Sequence, residues 1–180
     1  MRREILVYPD PFLARKAAPV AAVTDRIRAL ISDMFETMYA AEGVGLAATQ
    51  VGVGKRVVVL DVSPVDETIP PLAVVNPEIV SRSGSVTGVE GCLSVPGVQG
   101  EVCRAETVVV RGMDEQGTPL RIQAAGILSR ALQHEIDHLD GILFVDHLSP
   151  LKRQLLLARY KKDHRGEDVI KPLKPATNGR

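Results

Sequence analysis

Helical patterns of apolar and polar residues occur in three parts of the chain. After Thr24, a typical N-cap residue, apolar residues recur every three or four positions until Gly43, which predicts an amphipathic helix with one face on the core. The same spacing predicts a second helix over residues 126–138. A third helix is predicted over about 149–162, because Ser149 is an N-cap residue followed by a proline suited to the first turn.

Runs of β-branched and other apolar residues predict four strands between the first two helices. They span residues 55–62, 72–80, 107–113 and 118–124. Polar residues and a glycine at 114–117 predict a hairpin turn between the last two strands. Because the strands follow one another without intervening helices, the order favours an α+β fold rather than a βαβ alternation.

No linker, internal repeat or low-complexity tract divides the chain. We therefore expect one domain over residues 1–164, which begins with an irregular, proline-rich arm at 9–20. Residues 165–180 contain prolines and glycines without an apolar period. This composition predicts a flexible tail.

Composition restricts the class of protein. The 180 residues are 45% hydrophobic and 24% charged, with a formal net charge of zero, as in ordinary soluble domains. Balanced charge argues against a dedicated nucleic-acid-binding protein. No apolar stretch approaches the roughly 20 residues that span a bilayer, and the N-terminus lacks the apolar core of a signal peptide. Two cysteines, Cys92 and Cys103, are too few for a disulfide framework, which favours a reducing cytoplasm.

The pentapeptide His134-Glu135-Ile136-Asp137-His138 lies at the end of the second predicted helix. Residues four apart stack on one helix face, so the two imidazoles can bind one metal ion. The glutamate beside them can act as general base toward a water molecule at that ion. The alternative is a pair of surface histidines that only pack the helix. The expected architecture is small sheets around a central metal-binding helix, with an N-terminal amphipathic helix and a C-terminal helix.

A catalytic metal centre usually has three protein ligands, so a third ligand is needed. The metallopeptidase extensions of the motif are not completed: Phe144 replaces a third histidine, His147 is out of register, and Glu167 falls in the predicted tail. Upstream, Cys92 in the segment EGCLS can supply a thiolate. The alternative is a buried structural cysteine, since free cysteine is among the most buried residue types.

A run of small residues, GVGLAATQ, ends at Gln50. Its glycines allow the backbone to approach another chain closely. The Gln50 amide can donate a hydrogen bond to a developing oxyanion. A simple helix-to-strand turn is the alternative.

Together, these three segments resemble the peptide deformylases. That family carries GφGφAAxQ, EGCφS and HExDH in this order, where φ is apolar, and this chain has GVGLAATQ, EGCLS and HEIDH. The resemblance extends from about residue 8 to residue 149 and includes the segments YPDP and LFVD. It implies a metal-dependent hydrolase that removes the N-formyl group from the initiator methionine of newly synthesised polypeptides and releases formate.

The resemblance also implies the roles of the central residues. Cys92, His134 and His138 would bind the metal ion, with water in the fourth position. Glu135 would take a proton from that water and later pass it to the departing amine. The expected ion is Fe²⁺, with Ni²⁺, Co²⁺ or Zn²⁺ as substitutes in purified protein.

Groups that contact the substrate follow from the same resemblance. The side chain of Gln50 and the backbone N–H of Leu93 would stabilise the oxyanion, and Gly45 would offer main-chain hydrogen bonds. Specificity for methionine also requires an apolar pocket. Such a pocket can be lined by Ile127 and by Ala131, which lies one turn before the first motif histidine. We expect it to be closed by Val44.

Three residues near these segments have open roles. Arg130 either packs its stem against the pocket or points to solvent. Arg104 either pairs with Glu90 and holds the EGCLS segment, or is an exposed strand charge. Cys103 can be a second thiol near the metal, although a structural role beside Arg104 explains it better.

The substrate determines the expected partners. The enzyme would act on nascent formylmethionyl polypeptides, without a membrane or a specific nucleic acid as partner. A cationic C-terminal helix suggests transient ribosome contact, with an ordinary solvated face as the alternative. Its cations are Lys152, Arg153, Arg159, Lys161, Lys162 and Arg165. Because the resemblance begins close to Met1, the bacterial cytoplasm is favoured over an organelle.

Three other functions compete with this interpretation. A structural zinc module could combine both cysteines with both motif histidines, but ten residues separate the cysteines and the motif glutamate would have no role. A general metalloendopeptidase would lack its usual third ligand and a secretion signal. A deformylase-like protein that binds without turnover would show an altered glutamate or cysteine, and this chain shows neither.

Overall fold

The computed structural model describes residues 1–165, which form the predicted α+β fold. Within them, the α-helices are α1 (Asp25–Ala40), α2 (Gly126–Leu139) and α3 (Pro150–Asp163). The strands are β1 (Gly45–Ala47), β2 (Val57–Leu60), β3 (Leu72–Ser83), β4 (Val86–Cys92), β5 (Val95–Arg104), β6 (Thr107–Met113) and β7 (Pro119–Ala125). Short 3₁₀ segments cover Pro11–Ala14, Ala48–Val51 and Phe144–His147.

Five strands form an antiparallel sheet in the order β1-β2-β3-β6-β7, and β4 pairs with β5 in a separate hairpin. Asp114 closes the turn between β6 and β7. Its carboxylate accepts hydrogen bonds from the backbone amides of Gln116 and Thr118, each at 2.9 Å. The hairpin turn predicted at 114–117 is therefore confirmed.

The three predicted helices are present. Thr24 caps α1, because its side chain accepts a hydrogen bond from the Ile27 amide. Ser149 caps α3 in the same way through the Lys152 amide. The central helix α2 ends at Leu139, one residue beyond the predicted end.

Four strands lie where the apolar runs predict them, whereas the sequence patterns do not predict β1, β4 and β5 as strands. The short β1 has only three residues, all buried, which is too few for a periodic pattern. The β4–β5 hairpin contains glycines at 88, 91, 97 and 100. Glycine inside a strand weakens the local β signal, so this hairpin depends on tertiary packing.

The helix α2 is the central element of the fold. Ten of its fourteen residues are buried, because the main sheet covers one side and the β4–β5 hairpin approaches another. On the sheet side, Leu132 and Leu139 join a core cluster that includes Val58 and Val74. Burying one leucine side chain stabilises a fold by about 1.5–3 kcal/mol. The helix that carries the HEIDH segment is therefore held firmly.

The helix α3 packs against β5 of the hairpin. Leu157 and Tyr160 are buried in a cluster with Val98 and Val102 of β5. The Tyr160 hydroxyl also donates to the backbone carbonyl of Tyr8 at 2.9 Å. These contacts tie the C-terminal helix to the N-terminal arm.

Apart from Arg165, the predicted tail over 165–180 lies outside the described residues. The single domain over 1–164 stays a prediction. In the described part of the chain, no helix has both the length and the apolar character that crossing a membrane requires.

Candidate metal centre

Two imidazoles lie on one face of α2. The Nε2 atoms of His134 and His138 are 3.2 Å apart, as expected for residues four apart on a helix. Cys92 completes the group, with its Sγ 3.3 Å from His138 Nε2. The donor atoms of the three residues all lie within 4.8 Å of one another. Within residues 1–165, this is the one cluster of His, Cys, Asp and Glu residues with the spacing of a metal site.

The β4–β5 hairpin brings Cys92 to the histidines. A register shift between Gly91 and Cys92 ends the regular pairing of β4, and Cys92 then pairs with Val95 across a tight turn. The backbone amide of Ser94 donates to Cys92 Sγ at 3.4 Å. The turn therefore fixes the direction in which the sulfur faces.

The spacing of these donors fits one metal ion. Around a tetrahedral ion, bonds of about 2.1 Å to nitrogen and about 2.3 Å to sulfur place two nitrogens about 3.4 Å apart and sulfur about 3.6 Å from nitrogen. The observed separations of 3.2 and 3.3 Å approach these values. Imidazoles combined with a thiolate are donors that suit iron, nickel, cobalt or zinc.

The surrounding charges also favour a cation at this point. Burial disfavours the imidazolium form of His134, but hydrogen bonds with Cys92 and Glu90 outweigh burial and raise its pKa to about 10. Burial and the neighbouring His134 charge lower the pKa of His138 well below its usual value. The anionic surroundings of His134 therefore favour a positive charge at this point, which a bound metal ion would supply.

Glu135 is buried beside the donors and faces the backbone of Gly45. A Cβ added at Gly45 would lie 2.5 Å from Glu135 Oε1, so the carboxylate needs a glycine at this position. Within residues 1–165, nothing hydrogen-bonds to Oε2. Burial raises the pKa of Glu135 to about 7. A carboxyl group with a pKa near neutrality can both accept and release a proton.

Gln50 places an amide N–H beside the same group. Its Oε1 accepts a hydrogen bond from the Ala47 amide at 2.9 Å, so its Nε2 faces the hairpin. Nε2 lies 3.1 Å from Ser94 Oγ and 3.8 Å from Cys92 Sγ. The amide is therefore held in one orientation, with its donor toward the candidate metal centre.

Glu90 contacts three side chains, of which Arg104 belongs to β5 of the hairpin and Arg130 and His134 belong to α2. It accepts hydrogen bonds from Arg104 at 2.7 and 2.9 Å and from Arg130 at 2.6 Å. Its Oε1 also lies 2.8 Å from His134 Nδ1. Burial alone would raise the pKa of Glu90, but hydrogen bonds from Arg104 and His134 hold it well below its usual value. A carboxylate on Nδ1 directs Nε2 toward a metal ion.

The predicted pair between Arg104 and Glu90 is confirmed, and the alternative of an exposed strand charge is wrong. Arg104 is only 6% exposed. It also donates to Asp137 Oδ2 at 2.7 Å, and His147 Nε2 lies 2.7 Å from the same oxygen. A continuous polar network therefore runs from His147 at the surface to the buried Glu90.

Arg130, whose direction the sequence left open, fastens α2 to the hairpin. Besides Glu90, its guanidinium donates to the backbone carbonyls of Val86 and Val102, at 2.7 and 2.9 Å. A Cβ added at Gly88 would lie 3.1 Å from Arg130 Cζ. The guanidinium therefore lies across the backbone of β4 rather than in solvent.

The candidate centre opens into a cleft of about 1220 Å³. Cys92, His134 and Glu135 line the cleft, while His138 is buried behind them. The cleft brings together all the residues that the sequence predicts for substrate contact, namely Val44, Gly45, Gln50, Leu93, Ile127 and Ala131.

Cys103 is exposed and lies outside this group. Its Sγ is 2.9 Å from Ser85 Oγ, so it is neither a second thiol at the centre nor a core residue. A zinc module built from both cysteines is therefore not formed. Phe144 is buried and stacks on His134 with 6.4 Å between ring centroids.

Sequence reasoning missed the contacts of Ser94 and Asp137. Ser94 contacts Cys92 and Gln50, and Asp137 joins Arg104 to His147. A signal was present, because these residues belong to the EGCLS and HEIDH segments. Glu167, considered as a ligand from the sequence, lies outside the described residues.

A helix with two histidines, completed by a cysteine and flanked by a buried glutamate, is typical of mononuclear metallohydrolases. A sequence model of one such family, polypeptide deformylase, matches residues 2–154. The chain belongs to the polypeptide deformylase family. It is a metal-dependent hydrolase that removes the N-formyl group from newly synthesised polypeptides and releases formate.

Individual relatives agree with the family match. The chain is 54% identical to a peptide deformylase of Alkalilimnicola ehrlichii over 159 residues, which cover 88% of this chain and 89% of the relative. It is 48% identical to one of Thermodesulfovibrio yellowstonii over 158 residues, 88% of this chain and 96% of the relative.

Solved structures show the same similarity. A peptide deformylase from Legionella pneumophila has a TM-score of 0.87 and 46% identity, covering 96% of this chain and 100% of that one. One from Ehrlichia chaffeensis, in complex with actinonin, has a TM-score of 0.85 and 41% identity, covering 91% and 98%.

Proposed function

We propose that Cys92, His134 and His138 hold the metal ion of this deformylase and that Glu135 is its general base. The observation that carries the proposal is the convergence of three donor atoms beside a buried carboxyl group whose pKa is raised to about 7. A divalent ion held there would polarise the formyl carbonyl and lower the pKa of an adjacent water molecule.

Glu135 moves the proton during the reaction. Its carboxylate accepts a proton from the attacking water and later delivers it to the amine that leaves. A carbon–oxygen bond to the formyl carbon forms and the carbon–nitrogen bond breaks, so formate and a free amino terminus result. Because the proton taken from water is the proton given to the amine, Glu135 ends the cycle as the carboxylate that it was at the start.

We assign Gln50 and Leu93 to the oxyanion. Negative charge develops on the formyl oxygen during attack, and donors that are already oriented stabilise it without reorganisation. The hydrogen bond from the Ala47 amide orients Gln50, and Leu93 lies in the tight turn directly after Cys92. Gly45 belongs to the edge strand β1, whose open side can bond an extended peptide through its main chain.

The methionine side chain is assigned to the apolar part of the cleft. Val44, Ile127 and Ala131 line it, and Ile127 and Ala131 lie on α2 next to the motif histidines. An unbranched thioether side chain adapts well to such an apolar space. The formyl group would then point toward Glu135 and the three donors.

We propose Fe²⁺ as the physiological ion, with Ni²⁺, Co²⁺ or Zn²⁺ as substitutes. Two imidazoles and one thiolate suit all four ions, so the metal content must be measured. Protein purified without oxygen should contain iron as its main metal. Predominant zinc under those conditions would contradict this choice of ion.

Formate release from formyl-Met-Ala-Ser tests the function itself. The short peptide offers the formylated methionine and little else, so its hydrolysis depends on the centre. Metal-loaded protein should release one formate for each free amino terminus formed. No formate from the loaded protein would overturn the assignment.

Replacing Arg104 with alanine should weaken metal binding by roughly 10- to 100-fold, the range observed for residues that orient metal ligands. In the variant, Glu90 loses two hydrogen bonds and no longer fixes the ring of His134. Titration of the metal-free protein with Co²⁺, followed by visible absorption, measures the affinity.

The matched control for this change is Arg111→Ala. Arg111 makes an exposed pair with Glu78 at 3.1 Å on the main sheet, so its removal should leave Co²⁺ affinity unchanged. Arg104→Lys should bind Co²⁺ more tightly than Arg104→Ala but less tightly than the parent, because lysine keeps the charge but not the bidentate contact with Glu90. Equal affinity in Arg104→Ala and the parent would contradict the orienting role.

We further propose that the enzyme works in the bacterial cytoplasm and contacts ribosomes through α3. The relatives named above are from bacteria, and the exposed Lys161 and Lys162 lie in the last turn of α3. Lys161→Glu/Lys162→Glu should lower ribosome cosedimentation several-fold at low salt. Deleting α3 is a poorer test, because Leu157 and Tyr160 belong to the core. Unchanged cosedimentation would remove the proposed contact.

A further inference from the structure

The cleft continues beyond the candidate metal centre to one face of α3. Lys152, Leu155, Leu156 and Arg159 line it. Their spacing of three, four and seven residues places them on one side of the helix. Lys152 and Arg159, which the sequence assigned only to a solvated or ribosome-facing helix, are therefore part of the wall of the active-site cleft.

This helix face is held in place by the adjoining face of α3. Leu157 and Tyr160 are buried against β5, and Ser149 caps the first turn. The cleft-lining side chains therefore stand on a fixed support rather than on a loop. A wall of this kind can bind a partner without first being ordered.

The wall is both apolar and cationic. Leu155 is 62% exposed, and Val89 of β4, which also lines the cleft, is 61% exposed. Within residues 1–165, Lys152 forms no ion pair, and Arg159 makes only a 3.9 Å contact with Asp163. The anionic residues that line the cleft all come from other elements, namely Glu42, Glu90, Glu101 and Glu135.

The size of the cleft exceeds what a formylmethionine needs. Its volume of about 1220 Å³ is above the range of roughly 300–1000 Å³ for pockets that enclose a drug-sized ligand. From residue 152 to 159 the helix rises by about 10 Å. An extended peptide covers that length with about three residues, so several residues after the methionine can lie along α3.

We propose that this face of α3 is a downstream binding surface for the substrate polypeptide and favours acidic and apolar side chains a few residues after the formylmethionine. The inference rests on the proposed function, because the substrate must enter the same cleft. Carboxylates would pair with Lys152 and Arg159, and apolar side chains would contact Leu155 and Val89. Exposed charges of this kind contribute modestly and are screened by salt.

Matched formylated hexapeptides test the proposal. Formyl-Met-Ala-Ser-Leu-Glu-Glu and formyl-Met-Ala-Ser-Leu-Lys-Lys differ only in the charge of the last two residues. The parent enzyme should show a kcat/KM about three- to tenfold higher for the acidic peptide at low salt, with a smaller ratio at high salt. In Lys152→Glu/Arg159→Glu, the preference should reverse.

The control is Arg26→Glu/Arg121→Glu, which makes the same change in net charge at exposed positions outside the cleft. It should keep the ratio of the parent. Equal kcat/KM for the two hexapeptides in the parent, or the same reversal in the control, would overturn the subsite. The subsite would also be overturned if Lys152→Glu/Arg159→Glu changed ribosome cosedimentation but left the preference between the two hexapeptides unchanged. Formyl-Met-Ala-Ser separates the two proposals, because its hydrolysis by the parent tests the centre without the downstream surface.

Discussion

Replacing Glu135 with glutamine should lower formate release from formyl-Met-Ala-Ser by about 10²- to 10⁴-fold, the range that general acid–base catalysis contributes. Glutamine is close in size to glutamate and fits the space beside Gly45, where a larger change would meet backbone. Its amide cannot accept the proton of the attacking water. A formate assay at saturating and limiting substrate measures kcat and kcat/KM separately.

Measuring the metal content of Glu135→Gln shows whether the variant has lost only its general base or has also lost metal binding. Glu135 is not one of the three donors, so the variant should keep the metal stoichiometry of the parent. The thermal unfolding midpoint should also remain close to that of the parent, because Oε2 has no hydrogen-bond partner to lose within residues 1–165. Near-parental kcat in fully metal-loaded Glu135→Gln would rule out Glu135 as the base.

The parts of the fold and site that the sequence predicts depend on contacts between residues that are close together in the chain. The caps of α1 and α3, the turn between β6 and β7, and the two imidazoles of α2 each depend on residues a few positions apart. Spacing along a helix or turn settles such contacts before any tertiary packing occurs. The third donor, Cys92, needed the resemblance of three ordered segments to a known family, because spacing alone left a structural cysteine open.

The parts that the sequence does not predict depend on distant packing. Arg130 lies 40 positions after Glu90 in the chain, yet the two side chains are 2.6 Å apart. The β4–β5 hairpin is rich in glycine and is stabilised by α2 and α3 rather than by its own pattern. The downstream wall also depends on α3 folding back along β5, which no local pattern indicates.

Glu90 explains how these distant elements align the three donors. Cys92 comes from the hairpin and the histidines come from α2, so the hairpin and helix must keep a fixed relative position. Glu90 joins them because it accepts hydrogen bonds from Arg104 on β5 and Arg130 on α2 and also contacts His134. A change in these hydrogen bonds would move the Cys92 sulfur relative to the imidazoles. A displacement of a catalytic group by about 1 Å can lower the rate roughly 10²-fold.

Replacing Cys92 with alanine should remove stoichiometric metal binding and, with it, formate release. Cys92 supplies the one donor of the cluster that comes from outside α2. Its loss leaves two imidazoles, so the affinity should fall by more than about 100-fold, beyond the range for residues that only orient ligands. Metal analysis after gel filtration and the formate assay measure the two consequences on the same sample.

Cys103→Ala is the matched control for this change, because Cys103 is exposed and lies outside the cluster. It should keep both metal and activity. Since a ligand that binds only the folded state stabilises it by mass action, added metal should raise the unfolding midpoint of the parent and of Cys103→Ala but not that of Cys92→Ala. A Cys92→Ala protein that retains one equivalent of metal, and is stabilised by it as the parent is, would show that a different group is the third ligand.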